Sequence, residues 1–197
     1  MKFLREWGLF ILLFAAIILT RIYLWAPINV SGHSMDPTLA DKEKIIMLKQ
    51  TKIKRFDVVI AKETEADNSS KHIVKRVIGL PGDTVTFKQD TLTINGKVYD
   101  EPYLDNFKKK FADDKLQSEY SYDTFFQETA ANISAFTVND ENQADFSVKV
   151  ADDEYFLLGD DRPISKDSRQ LGNFNKSEIE GKATYIIMPF KKMGTIK

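Results

Sequence analysis

The chain has 197 residues, a net charge of −1, 43% hydrophobic and 29% charged residues, no cysteine and two histidines. This balance excludes a disordered chain and gives no global positive field for nucleic acid. Without cysteine there can be no disulfide, no zinc–thiolate centre and no thiol nucleophile, and His33 and His72 alone are scant material for a histidine triad or metal site.

From Trp7 to Leu19 every residue is apolar or glycine, and Thr20, Arg21 and a second apolar stretch from Ile22 to Ile28 follow. A membrane span needs about 20 residues. The run reaches that length at Trp25 if Arg21 snorkels to the interface, where Tyr23 and Trp25 would form an aromatic belt. Lys2 and Arg5 precede the run, and no basic residue separates Arg21 from Lys42. The charge asymmetry predicts a cytoplasmic N-terminus over 1–6, a single transmembrane anchor over 7–25 and an extracytoplasmic domain over 26–197. A cleaved secretory signal is the competing reading. Against it, no small-x-small cleavage site follows the run, and Pro27 comes directly after Ala26.

The remaining length, about 170 residues, fits one domain with a mainly β core. Strands are expected at Lys44–Leu48, Asp57–Ala61 and His72–Leu80, the last rich in β-branched residues. Leu80-Pro81-Gly82-Asp83 carries Pro and Gly where a type II turn prefers them. Thr84–Phe87 and Thr91–Ile94 follow, and Asn95-Gly96 predicts a tight hairpin into Lys97–Tyr99. Late strands are expected at Phe146–Val150, Tyr155–Leu158 and Ala183–Met188. The polar stretch at about 100–145 reads as an insertion on this core, with a short helix near Asp123–Ala131 and a solvated face at Lys108-Lys109-Lys110.

Three segments carry candidate chemistry. In Ser31-Gly32-His33-Ser34-Met35-Asp36-Pro37-Thr38-Leu39, Gly32 and Pro37 bracket Ser34 in a tight loop, which suits an exposed nucleophile and equally an ordinary turn. In His72-Ile73-Val74-Lys75-Arg76-Val77, strand alternation puts Ile73, Lys75 and Val77 on one face. A lysine so flanked can be desolvated and neutral enough to accept a proton, or can be an edge lysine facing water. The third, Gly159 to Arg169, leads from a strand into a loop dense with acids, arginines and hydroxyls. It is either a plain polar loop or a shell that supports the lysine.

Together these segments resemble the signature boxes of the bacterial type I signal peptidases. The match lies in Ser-Met-x-Pro-Thr-Leu at Ser34 to Leu39, Lys-Arg-Val-Ile-Gly-Leu-Pro-Gly-Asp at Lys75 to Asp83, and Gly-Asp-Asp-Arg…Ser-x-Asp-Ser-Arg at Gly159 to Arg169. Arg55-Phe56-Asp57-Val58-Val59 is similar to a fourth box. The resemblance implies a signal-peptidase/LexA-like β-ribbon core behind one N-terminal transmembrane helix, in a bacterial cell membrane. It makes Ser34 the nucleophile and Lys75 the general base, with Ser165 orienting the lysine amine. Asp167 and Arg169 become a structural ion pair joined by Arg76. It implies no cofactor and no metal. Two positions depart from the family pattern: Gly32 stands where some members place a second oxyanion donor, and Asp161 where many have Asn.

The implied reaction removes signal peptides from exported pre-proteins after small-x-small sites, through an acyl-enzyme. Ile28, Val30, Leu39 and Val74 are the candidates for shallow pockets that take the small side chains, with the substrate adding as a strand. The implied partners are pre-proteins, the lipid membrane and a nearby secretion translocon, with no nucleic acid. From Trp25 to Ser34 the chain reaches only about 30 Å even when extended at ~3.3–3.6 Å per residue, which keeps the serine near the membrane surface. Two readings compete. Self-cleaving repressors resembling the LexA type share the dyad but carry a DNA-binding domain in place of a membrane segment. A non-catalytic assembly factor for surface structures would have lost the serine or the lysine, and both are present here.

Overall fold

The computed structural model describes residues 2–64 and 69–196, with side chains from Trp7 onward. Helix α1 (Lys2–Tyr23) opens the chain. Its side chains from Leu9 to Tyr23 are exposed on all sides. Among the described residues no helix is long and apolar enough to cross a membrane. The segment expected as an anchor over 7–25 is helical to Tyr23, and Trp25 already opens strand β1 (Trp25–Asn29). The side chains of Lys2 and Arg5 lie outside the described residues.

Strands β2 (Lys44–Leu48), β3 (Val58–Thr64), β4 (Ser70–Gly79), β5 (Thr84–Lys88), β6 (Thr91–Ile94) and β7 (Lys97–Tyr99) follow in order. Helices α2 (Asp105–Asp114) and α3 (Thr124–Asn132) come next, then β8 (Phe146–Lys149) and β9 (Glu154–Leu158). The short helix α4 (Ser168–Leu171), β10 (Phe174–Asn175), β11 (Ile179–Met188) and β12 (Gly194–Thr195) complete the chain. The large sheet runs β1-β2-β11-β3-β4-β9-β10, with β12 on β11, and the smaller one runs β7-β6-β5-β8. The protein is therefore mainly β beyond its first helix, as expected.

Local chemistry explains most of these elements. Asn95 and Gly96 both adopt positive φ, which the tight β6–β7 turn demands and these residue types tolerate. Gly82 takes φ +81° in the turn between β4 and β5, closed by the Asp83 N–H on the Leu80 carbonyl at 3.0 Å. Strand β4 departs from simple alternation. From Lys75 to Gly79 every residue is buried, because one face packs on Val59, Ala61 and Leu157 while the other meets the core under the smaller sheet.

The insertion is a helical unit with its own core. Leu104, Phe107, Phe111, Leu116, Tyr120, Ala130 and Phe136 pack together, and Ile164 of the loop after β9 packs against them. The expected short helix is α3, capped by the Asp123 carboxylate on the N–H groups of Phe125 and Phe126. Helix α2 was not expected. It buries only Phe107 and Phe111, at i and i+4, in an otherwise polar segment. The lysine run lies on α2, where Lys108 pairs with Glu101 and Lys110 with Glu119.

Candidate active site

The loop after β1 holds Ser34 by burying its neighbours. Met35 and Leu39 are almost wholly enclosed, joined by the Leu39 N–H on the Met35 carbonyl at 2.9 Å. Gly32, at φ +87°, donates its N–H to Asp41 at 2.9 Å, so that amide is occupied. His33 Nδ1 lies 2.9 Å from Asp36 and its ring faces Tyr122 and Phe126, so the histidine is tied to the loop and the insertion.

Lys75 comes from the middle of β4 and its Nζ stands 2.7 Å from Ser34 Oγ. A charged amine would donate across that gap, and a neutral amine would accept the hydroxyl proton. Lys75 is 4% exposed. Burial lowers its pKa to about 8, opposed by the carboxylates of Asp167 and Glu63 and assisted by Arg169 and Lys71. About a tenth of the lysine is then neutral at pH 7, and the fraction grows through pH 8, as a base requires.

The loop after β9 completes the site. Asp167 binds Arg169 through two 2.8 Å contacts, accepts the Gly159 N–H at 2.9 Å and caps α4. Arg169 holds its carboxyl below the usual range against the opposing effect of burial. The expected joining of this pair by Arg76 is not what forms. Arg76 follows Lys75 on a strand, so its side chain leaves the opposite face of β4. It binds Asp160 instead, at 2.8 and 2.6 Å, together with the Phe56 carbonyl and Thr38. Thr38 in turn donates to Asp160.

Gly159 sits at the crossing point. A Cβ there would lie 2.1 Å from Ser165 Oγ and 2.4 Å from the Ser34 carbonyl oxygen, so only glycine lets the two loops approach. Ser165 is buried in this contact, and its Oγ makes no hydrogen bond among the described residues. The orienting contact expected between Ser165 and Lys75 is thus not made in this geometry.

Ser34 and Lys75 open onto a cleft of about 300 Å³. Ile28, Val30 and Val74 line it, as expected. Leu39 does not. It is fully buried, packed with Val30, Met35 and Ile45 in the core, because it anchors the loop from below. The cleft gains Ile73 of β4, Phe126 of α3 and Ile164 of the loop after β9. Sequence reading missed Phe126, since nothing in a polar insertion marks the residue that turns toward a distant strand. Among the described residues no acidic, histidine or cysteine cluster could hold a metal ion.

A mainly β domain with a serine hydroxyl and a buried amine in contact in a cleft with apolar walls at Ile28, Val30 and Val74 has the architecture of a peptidase. Family comparison agrees: residues 4–188 match the family model described as signal peptidase, peptidase S26. The chain belongs to that family. It is 48% identical over 201 residues to signal peptidase I of Streptococcus pneumoniae serotype 4, covering 98% of this chain and 97% of that one. It is 39% identical to signal peptidase I of Bacillus amyloliquefaciens, covering 91% and 85% of the two chains. A crystal structure of a signal peptidase I from Enterococcus faecalis V583 aligns at 30% identity and a TM-score of 0.47, over 67% of this chain and 97% of that one.

Proposed function

We propose that this protein is a membrane-anchored serine endopeptidase that removes signal peptides from exported pre-proteins after small-x-small sites. The observation that carries the reading is the 2.7 Å contact of Lys75 with Ser34 at the cleft floor. Ser34 attacks the scissile carbonyl, and neutral Lys75 takes its proton. The acyl-enzyme forms as the amine leaves, and Lys75 then activates the hydrolytic water. The Ser34 N–H, which has no partner among the described residues, is the donor for the oxyanion. Asp167 and Arg169 hold the Gly159 backbone against the Ser34 loop. Ser165 packs at the same crossing.

Ile28, Val30 and Val74 form the walls that favour small side chains, and β1, an edge strand, is available for strand addition. Helix α1 is the anchor, its N-terminus cytoplasmic and the β domain outside, near the translocon that delivers clients. An apolar surface exposed around the whole circumference of a helix is suited to lipid rather than water. Susceptibility of the domain to external protease in spheroplasts tests the topology, and a fully protected domain would refute it.

Cleavage of a pre-protein by the full chain in detergent tests the chemistry. Ser34→Ala and Lys75→Ala should each remove activity and leave the circular dichroism spectrum unchanged. Near wild-type cleavage by either variant would refute the dyad. The same assay separates the enzyme from a non-catalytic assembly factor, which would cleave nothing.

A further inference from the structure

The loop after β9 makes a second connection to Ser34, through a residue that the dyad does not use. Asp161 is fully buried. Its N–H donates to the Ser34 carbonyl at 3.1 Å, and its carboxyl accepts the hydroxyl proton of Tyr120 from the insertion. The other carboxyl oxygen has no partner among the described residues. One residue thus ties the helical insertion to the backbone of the candidate nucleophile.

The charges around it oppose ionisation. Its chain neighbour Asp160 is a carboxylate already committed to Arg76, and Arg162 on the other side is committed to Glu101. A second cavity of about 370 Å³ brings Asp161 together with Asp36, Asp41 and Glu119. The basic groups on that cavity are engaged with other carboxylates: His33 Nδ1 with Asp36 and Lys192 with Glu43. Glu119 binds Lys110, and Tyr120 and Tyr122 add only neutral phenols. A fully buried carboxylate with no cation of its own is costly, whereas a neutral carboxyl accepts the tyrosine's hydrogen bond and stays in place.

We propose that Asp161 is a positioning residue that acts as a neutral carboxyl, coupling the insertion through Tyr120 to the backbone at Ser34. Burial first, and then the charges of Asp36, Glu119 and Asp160, raise its pKa to about 8 against the lowering effect of the Tyr120 hydrogen bond. The proposal rests on Ser34 as the nucleophile, and two readouts keep it separable from that reading.

The stability readout follows from linkage. A carboxyl whose folded pKa lies above its ordinary 3.8 binds its proton more tightly when folded. Its contribution is fully present below pH 4 or so and is lost as pH rises through about 8. Asp161→Asn keeps an acceptor for Tyr120 and cannot ionise. The melting temperature of the full chain in detergent, for wild type and Asp161→Asn at pH 5 to 9, should diverge progressively in favour of the variant. A constant difference across that range would overturn the proposal.

The activity readout uses the same proteins. At pH 7 Asp161→Asn should cleave within a few-fold of wild type, and Asp161→Ala should lose at least tenfold in kcat. Wild type should decline on the alkaline side of its optimum, and Asp161→Asn should hold a plateau there. Equal impairment of the Asn and Ala variants at pH 7, or an alkaline decline kept by Asp161→Asn, would overturn the neutral-carboxyl role. Should Ser34→Ala remain active, the dyad would fall, while the melting comparison would still decide the state of Asp161.

Discussion

The β core and the helical insertion both meet at the loop after β9, but they hold it by different means. The core fixes position through backbone register and one buried ion pair, Arg76 of β4 with Asp160, while Arg169 with Asp167 braces the loop from within, all four groups at most 2% exposed. The insertion grips the same loop through a buried ion pair of its own, Glu101 with Arg162, and through single hydrogen bonds: Tyr120 on Asp161, Thr137 on Arg162 and the Val138 carbonyl on Arg169. Its outer charge pair, Lys110 with Glu119, is more than a third exposed on both sides. What the core alone adds to its ion pair is backbone register, through β9 on β4.

The largest effect expected from this contrast is on stability. Arg76→Met leaves Asp160 buried without its cation, which should cost about 3–5 kcal/mol, whereas Lys110→Met should cost about 0–1 kcal/mol. Chemical denaturation of both variants measures the difference, and equal losses would erase the distinction between the buried and the exposed pair. Gly159→Ala comes next. Its Cβ would push against Ser165 and the Ser34 carbonyl, and a displacement near 1 Å at the nucleophile costs on the order of 100-fold in rate. Single-turnover cleavage is the measurement, and a wild-type rate would mean that the crossing is looser than its contacts.

These contrasts also separate what the sequence makes legible from what it hides. The hairpin at Asn95-Gly96 and the β2 and β6 boundaries follow from local turn and strand chemistry. Ser34 and Lys75 were legible as motifs, yet only the fold shows them in contact, 41 positions apart in sequence. Arg76 was misassigned to Asp167, because motif proximity says nothing about which face of β4 a side chain leaves. Leu39 looked like a pocket residue and is a core peg, since its burial depends on β2 and β11. Strand β1 was hidden under the anchor, its apolar composition continuous with α1. Helix α2 was hidden by its lysines, because two phenylalanines are enough to seat it. Asp161 was visible only as a departure from the family pattern, and its environment comes from Tyr120 and Asp36, distant in sequence.

The smallest effect concerns the rim between the two regions and the pH dependence of the base. Glu63 closes β3 at the cleft, 8% exposed, and binds Lys166 of the loop after β9 at 2.8 Å. Its carboxylate favours the charged form of Lys75, as Asp167 does more strongly. Lys75 must be neutral to act, so the rate should rise with pH through about 8. In Glu63→Gln a negative charge is removed while Lys71 remains at the rim, which disfavours the ammonium. The ascending limb should therefore move to lower pH by a fraction of a unit, with the maximal rate little changed, because Glu63 does not touch the reacting atoms. A His33→Asn/His72→Asn variant should leave that limb where it is, since His33 is bound to Asp36 and His72 to Glu180. Rate profiles from pH 5 to 9 for the two variants decide the matter. A limb that shifts with the histidines and ignores Glu63 would transfer the role of base away from Lys75.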